Sequence, residues 1–177
     1  YEPGNVIVRR CLAIQGSEKP LFQFSMFKDE VELFKFLSEQ KELVDMYEVV
    51  LGEQPQKPRF DIDIKVKSDE ERAKKTECYN RLVHQVTEAC LFLCAPVDPR
   101  VIIYTSHGKH KLSCHIVLTS VYHTDNRQAR AFYRQVMKLV DVDISEYLDH
   151  AVYSSAQNFR LLGCSKLGQE RPKKKPE

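Results

Sequence analysis

Hydrophobic and polar residues alternate in several short segments of the chain, the pattern of β-strands that have one buried face. Strands are predicted over residues 5–14, 21–27, 46–51, 59–65, 101–104 and 111–119. A further strand near the end of the chain is predicted to carry Phe159, Arg160 and Leu161. The segments between these strands show helical periodicity instead.

The first predicted helix follows Asp29, which is expected to be its N-cap, with Glu32 completing a capping box. Its apolar stripe is expected to contain Val31, Leu33, Phe34 and Leu37. This spacing predicts a helix with one apolar side.

Two longer helices are predicted downstream, one from Ser68 to about Cys94 and one over about residues 125–140. A short helix reaching Leu148 is predicted to begin at Asp143, with Glu146 three residues later completing a second capping box. The order of strands and helices predicts an α+β fold and not a doubly wound parallel sheet.

The turn-rich segment of residues 52–58 predicts a domain boundary. We expect an N-terminal α/β module over residues 1–56, a larger module over residues 57–170, and a remnant of a linker over residues 171–177. The chain lacks an initiator Met and ends in a Lys- and Pro-rich run, so a domain of a longer protein is expected.

Composition narrows the class of protein. Of 177 residues, 27 are basic, 25 are acidic and 42% are hydrophobic, which excludes a disordered chain and a highly basic nucleic-acid coat. The longest apolar stretch, residues 89–97, is too short to cross a membrane. The six cysteines follow no paired framework, so reduced thiols and an intracellular protein are expected.

A pair of aspartates gives the first candidate for chemistry. On the strand predicted over residues 59–65, Asp61 and Asp63 share one face while Phe60 and Ile62 point into the core. Two neighbouring carboxylates suit an oxygen-preferring divalent ion, Mg²⁺ or Mn²⁺. An exposed strand face is the alternative. The same spelling at Asp141–Asp143 is assigned to helix capping.

The second candidate is the strand that begins at Lys111. Lys111, Ser113 and His115 share its polar face and together offer a cation, a hydroxyl and an imidazole, which suits phosphate oxygens. A Ser–His hydrolytic site is disfavoured because the sequence has no nucleophile elbow. A solvated strand face is the other alternative.

The third candidate lies near the end of the chain. Asp149 follows a short helix, Arg160 is predicted to face away from the core, and Lys166 follows a glycine turn. Arg160 offers a bidentate fork and Lys166 a point charge, both suited to phosphate. Structural salt bridges are the alternative for each of them.

These segments, in this order and spacing, resemble the archaeo-eukaryotic primase superfamily, in particular the primase-polymerases of eukaryotes and large DNA viruses. The similarity covers residues 46–168, and residues 149–166 are its most specific part. It implies an RRM-like catalytic sheet with an N-terminal α/β module and an active site in the cleft between them. It also implies template-dependent nucleotidyl transfer by two metal ions, Mg²⁺ or Mn²⁺.

The resemblance also assigns the site residues and partners. The metal ligands and catalytic residues are expected to be Asp61, Asp63 and Asp149; the triphosphate contacts are expected to be Lys111, Ser113, His115, Arg160 and Lys166. Gln157 occupies a position that is often basic in relatives. The implied partners are a single-stranded DNA template, a primer, nucleoside triphosphates and a helicase and zinc module outside this chain, in the nucleus, the mitochondrion or a viral replication site; no membrane is expected.

Two other functions fit part of the pattern. A non-catalytic RRM-like nucleic-acid-binding module predicts stacking aromatic residues and no acidic cluster on its binding face. A metal-dependent nuclease shares the carboxylates but does not need the triphosphate contacts. Cys90 and Cys94, with His84 before them, have no second ligand pair, so a buried helix face is favoured over a zinc site.

Overall fold

The computed structural model describes residues 5–14, 16, 19–40, 45–169 and 171–175. Within these residues the chain forms two antiparallel sheets and four α-helices, which confirms the mixed α+β class. In chain order the strands are β1 (Val6–Leu12), β2 (Leu21–Phe27), β3 (Met46–Leu51), β4 (Arg59–Lys65), β5 (Val101–Thr105), β6 (Lys111–Leu118) and β7 (Ala156–Arg160). The helices are α1 (Glu30–Ser38), α2 (Asp69–Cys94), α3 (Asn126–Met137) and α4 (Val142–Ser145), and a 3₁₀-helix spans His150–Tyr153.

The chain divides into two compact units. Unit 1 comprises Tyr1–Leu51 and Ala156–Lys174, and unit 2 comprises Gly52–Ser155 and Lys175–Glu177. Strand β7 belongs to unit 1 because it pairs with β3 along its whole length, from Tyr47 opposite Arg160 to Leu51 opposite Ala156. Unit 1 therefore includes residues from the end of the predicted larger module, 57–170, and from the predicted linker, 171–177.

Unit 1 is a four-stranded antiparallel sheet in the order β2-β1-β3-β7, with α1 on one face. Its core contains Val8, Phe27, Leu33, Met46 and Cys164. The Asp29 cap is confirmed, since its carboxylate accepts a 2.9 Å hydrogen bond from the Glu32 amide. The predicted apolar stripe is partly wrong: Leu33 is buried, but Val31 is 76% exposed and Phe34 is 70% exposed.

Unit 2 is a three-stranded antiparallel sheet in the order β4-β6-β5. The apolar residues of β4 and β6 form one core with residues of α2 and α3, among them Phe60, Ile62, Cys114 and Leu82. Helix α2 begins where the sequence predicts, because the Ser68 hydroxyl accepts a hydrogen bond from the Glu71 amide. Its apolar residues at helical spacing then cover the inner face of the sheet.

The predicted cap at Asp143 is wrong. Helix α4 begins at Val142, so Asp143 lies inside it, and the capping position belongs to Asp141. The Asp143 carboxylate instead accepts two hydrogen bonds from Arg81 of α2, at 2.7 and 2.6 Å. The local sequence does not reveal this long-range pair, so the capping-box motif wrongly predicted that Asp143 begins the helix.

All six cysteines are free thiols, as predicted. Over the described ranges, no helix has both the length and the apolar character needed to cross a bilayer.

Candidate active site

Strand β4 presents two carboxylates on one face of the unit 2 sheet. Its buried residues alternate with Asp61 and Asp63, which are partly exposed. In the antiparallel register with β6, Asp61 lies opposite His115 and Asp63 lies opposite Ser113. Directly paired residues point to the same face of a sheet, so both aspartates share their face with the predicted phosphate-binding residues.

A third carboxylate reaches the same face from the other edge of β4. Leu148 forms an isolated antiparallel bridge with Ile62. The Asp149 amide donates to the Asp61 carbonyl at 2.9 Å, and the Asp63 amide donates to the Tyr147 carbonyl at 3.1 Å. The buried Leu148 side chain joins the core. Asp149, one position further, is thereby placed beside Asp61.

Basic side chains of β6 lie beside both carboxylates of the β4 pair. Lys111 Nζ lies 2.6 Å from Asp63 Oδ2, and His115 Nε2 lies 3.6 Å from Asp61 Oδ1. The sequence predicts repulsion between the aspartates in the absence of a metal ion. The structure shows instead that neighbouring cationic or hydrogen-bonding groups already lie within reach of both carboxylates.

The polar face of β6 is not a solvated strand face. Both Ser113 and His115 are buried. The Ser106 hydroxyl donates to the Ser113 hydroxyl at 3.2 Å, and the Ser113 amide donates to His107 Nδ1 at 3.1 Å. The Ser113 hydroxyl is therefore held within the sheet, which does not favour a role as an exposed nucleophile.

Several contacts fix the segment that carries Asp149. One oxygen of its carboxylate accepts a 2.7 Å hydrogen bond from the Ala151 amide and so caps the 3₁₀-helix. The Tyr153 hydroxyl at the end of that helix donates to the Arg59 carbonyl at 2.8 Å. Arg130 of α3 donates to the Tyr153 carbonyl at 2.9 Å. The segment is thus tied to the start of β4 and to α3.

The carboxylates of the site contribute to raised pKa values of two neighbouring groups, Cys114 and Tyr133. Burial is the main cause that raises the pKa of the Cys114 thiol to about 12; a hydrogen bond with Tyr79 acts in the opposite direction, and Asp61 and Asp63 add to the rise. Burial also raises the pKa of the Tyr133 hydroxyl, and Asp149 contributes in the same direction. Cys114 is consequently protonated at neutral pH, which does not favour a catalytic role for it.

The other two predicted phosphate contacts, Arg160 and Lys166, lie in unit 1. Arg160 ends β7 opposite Tyr47, is buried, and donates from Nη1 to the Arg171 carbonyl at 2.8 Å. Lys166 is partly exposed. The structure thus brings together Asp61, Asp63, Asp149, Lys111, Ser113 and His115 within unit 2, while these two side chains belong to the other unit.

Lys173 is a structural residue of unit 1 that the sequence did not reveal. It was predicted to lie in a linker, but its side chain is buried and donates to the Arg160 carbonyl at 2.7 Å. Its backbone pairs with Cys164 and Gly163. A Lys-Lys-Lys run has no local feature that distinguishes its first, buried lysine from its two exposed neighbours.

The donor set suits an oxygen-preferring divalent ion by its chemistry, since Asp61, Asp63 and Asp149 supply carboxylates from two hydrogen-bonded backbone segments. However, over the described residues no three or more His, Cys, Asp or Glu side chains are grouped closely enough to hold a metal ion. The carboxylates are instead engaged with Lys111, His115 and the Ala151 amide.

Comparison with known proteins adds one relative. No protein-family model matches the chain. It is 28% identical over 166 residues to a protein of African swine fever virus (isolate Pig/Kenya/KEN-50/1950) described as "Putative helicase/primase complex protein". The match covers 85% of this chain and 16% of the viral protein. The chain is therefore similar to a small part of a viral helicase/primase complex protein.

Proposed function

We propose that this chain is the catalytic domain of a template-dependent nucleotidyltransferase of the archaeo-eukaryotic primase type. The observation that carries the proposal is the placement of Asp149 beside Asp61 by the Asp149 amide hydrogen bond, with Asp63 on the same face. Similarity to a viral helicase/primase complex protein supports a role in replication. Nucleotides are joined to the 3′ end of a primer paired with a single-stranded DNA template.

Mg²⁺ or Mn²⁺ would be held by Asp61, Asp63 and Asp149. Such ions, when bound, lower the pKa of the attacking hydroxyl and neutralise charge on the transferred phosphoryl group. The protein's own contribution is to hold the three carboxylates on one strand face. Asp61 and Asp63 come from β4. Asp149 comes from the segment that the hydrogen bond from the Tyr153 hydroxyl to the Arg59 carbonyl holds in place.

Lys111 and His115 have a second role in this proposal. Their positions beside Asp63 and Asp61 let them exchange a carboxylate partner for a phosphate oxygen when a metal-bound triphosphate arrives. A divalent ion held there would supply positive charge to the carboxylates, which would leave Lys111 and His115 available for phosphate oxygens. Ser113, Arg160 and Lys166 are proposed as further phosphate contacts.

The proposed partners follow from this reaction. They are a single-stranded DNA template, a primer and nucleoside triphosphates, with a helicase in the same complex, and the proposed location is a site of viral DNA replication. The name of the viral relative supports the helicase partner, while the carboxylates and the basic side chains of β6 support a metal-bound nucleotide as substrate.

A primer-extension assay tests the proposal. The chain is incubated with an annealed labelled primer, a single-stranded template and nucleoside triphosphates, with Mg²⁺, with Mn²⁺ or with EDTA. Extension with either metal, and its loss with EDTA and in Asp61→Asn, supports the proposal. Shortening of the primer by the wild type but not by Asp61→Asn would replace it with a nuclease. A metal titration without any effect on extension or shortening would overturn the enzymatic assignment.

A further inference from the structure

Unit 1 carries an aromatic surface on the sheet face opposite to α1. We call it the β2 aromatic face and define it by Phe22, Phe24 and Met26 of β2, Arg9 of β1 and Tyr47 of β3. The strand register places Arg9 directly opposite Phe24 on one side and opposite Tyr47 on the other. All these side chains therefore lie on one face, whereas Val8, Phe27 and Met46 of the core lie on the other.

The side chains of β2 on this face are exposed apolar groups. Phe24 is 62% exposed, Met26 is 59% exposed and Phe22 is 48% exposed. Two phenylalanines and a methionine at alternate positions of one strand form a continuous apolar strip, and exposure of such a strip in water is unfavourable unless it binds something.

Arg9 lies among the rings. Its guanidinium carbon is 4.8 Å from the centre of the Phe22 ring and 4.7 Å from the centre of the Tyr47 ring, so one cation stacks on two aromatic residues. Within the described residues, Arg9 makes no ion pair, and its Nε has no hydrogen-bond partner. Among the residues that the structure describes, no carboxylate therefore pairs with the positive charge of this face.

Asp45, which lies two residues before Tyr47, does not present an exposed carboxylate to an anionic ligand. It is buried, and its carboxylate is hydrogen-bonded with Tyr47 and Cys11. The pKa values of the Tyr47 hydroxyl and the Cys11 thiol are both raised, first by the burial of these two groups and then by the hydrogen bond with Asp45. The exposed part of the face therefore combines ring surfaces with one arginine and no exposed carboxylate among its defining residues.

We infer that the β2 aromatic face binds unpaired bases of a single-stranded nucleic acid by stacking, with Arg9 attracting the phosphate backbone. Flat rings on a β-sheet surface are a recurring platform for bases, and an adjacent arginine adds stacking and phosphate attraction. A hydrophobic protein segment would use the rings but would gain nothing from Arg9. This site contains none of the carboxylates of the proposed catalytic site, and binding to it requires neither metal ion nor nucleoside triphosphate.

The natural absence of tryptophan makes a direct optical test possible. Phe24→Trp introduces a single indole on the face and keeps an aromatic ring there. Titration of this variant with an oligothymidylate of about ten nucleotides, in EDTA, is expected to quench the indole fluorescence, because a stacked base contacts the ring. An abasic oligomer of the same length, which keeps the phosphates, is expected to give little quenching. Equal quenching by both oligomers, or none by either, would overturn base stacking.

Affinity measurements supply the matched control. Phe24→Ala is expected to weaken binding of a labelled oligothymidylate roughly 5- to 150-fold, the range for loss of one stacked base. Phe34→Ala removes another exposed ring of the same unit, from α1, and is expected to leave binding unchanged. Equal affinity of the two variants would overturn the inference. Loss of primer extension without loss of this binding would concern only the proposed catalytic site.

Discussion

Asp149 and Asp61 are neighbours across an antiparallel bridge, and the Asp149 amide donates a 2.9 Å hydrogen bond to the Asp61 carbonyl. The bridge belongs to the backbone, so it fixes the distance between the two residues regardless of the state of their carboxylates. Asp149 is thereby held beside Asp61 on the face of β4 that also carries Asp63.

The first prediction concerns Asp149→Asn. Asparagine keeps the size of the side chain and can still cap the 3₁₀-helix at the Ala151 amide, so the fold should be retained. Loss of the negative charge is expected to reduce nucleotide incorporation by at least about 100-fold, comparable with removal of one preorganised electrostatic group in other enzymes. Primer extension and thermal unfolding measured on the same sample separate the two effects.

The second Asp-x-Asp pair of the chain provides the control. Asp143 is also an aspartate of unit 2, like Asp149, but its carboxylate accepts hydrogen bonds from Arg81 on α2. Asp143→Asn should therefore leave incorporation near the wild-type rate. If Asp149→Asn extends primers as well as Asp143→Asn does, Asp149 is a capping residue and not a metal ligand.

Lys111→Ala is expected to weaken nucleoside triphosphate binding by about 1.5–3 kcal/mol, since it removes one charge-assisted contact to phosphate. Its effect on stability should be smaller, about 0.2–1 kcal/mol, because the pair with Asp63 is partly exposed. Calorimetric titration with triphosphate and Mn²⁺ measures the first effect and urea unfolding the second. Lys109→Ala, an exposed lysine of the preceding loop, is the control. A Lys111→Ala variant that loses stability but binds triphosphate normally would identify Lys111 as a purely structural partner of Asp63.

Tyr153→Phe should lower the free energy of unfolding by about 1–3 kcal/mol, because the buried Arg59 carbonyl loses its hydroxyl donor. The same change loosens the segment that carries Asp149, so incorporation should fall as well. Tyr122→Phe removes a hydroxyl from an exposed tyrosine and should change neither quantity. An unchanged unfolding free energy in Tyr153→Phe would show that this hydrogen bond does not hold the segment.

His123 predicts a dependence of stability on pH. Burial lowers its pKa in the folded state, and its ring packs 5.1 Å from that of Phe132. An unfolded chain therefore binds a proton on His123 at a higher pH than the folded chain does, and stability falls as the pH drops below the ordinary histidine pKa. Urea unfolding at pH 7.5 and 5.5 should show this loss, and His123→Phe should reduce it. An equal loss of stability in the variant and the wild type would assign the pH dependence to other groups.

Local sequence signals predicted much of the fold because the physics behind them is local. Asp29 and Ser68 begin their helices as expected, since a side-chain oxygen three residues before an amide can satisfy it wherever the helix packs. The alternation of apolar and acidic residues in β4 correctly predicted that Asp61 and Asp63 share a face, because this alternation is also a local property of a strand.

Features that depend on long-range packing were not accessible to the same reasoning. The exposure of Phe34 is decided by how α1 rotates on its sheet, and the pairing of Asp143 with Arg81 is decided by the approach of α4 to α2. The pairing of β7 with β3 moved residues 156–174 into unit 1. Periodicity alone cannot predict which strands become neighbours, because the same alternation fits either sheet.

The last prediction tests whether residues 171–174 are part of the folded unit 1. Lys173→Met keeps most of the apolar stem but leaves the Arg160 carbonyl without the ammonium that donates to it at 2.7 Å. An unfolding free energy lower by about 1–3 kcal/mol is expected, since a buried acceptor loses a donor. Lys174→Met changes the next lysine of the same run, which is exposed, and should have little effect. Because Arg160 is a proposed phosphate contact, Lys173→Met is also expected to weaken triphosphate binding, while Lys174→Met is not. If the two variants give equal unfolding and binding curves, residues 171–174 are a linker and not a part of folded unit 1.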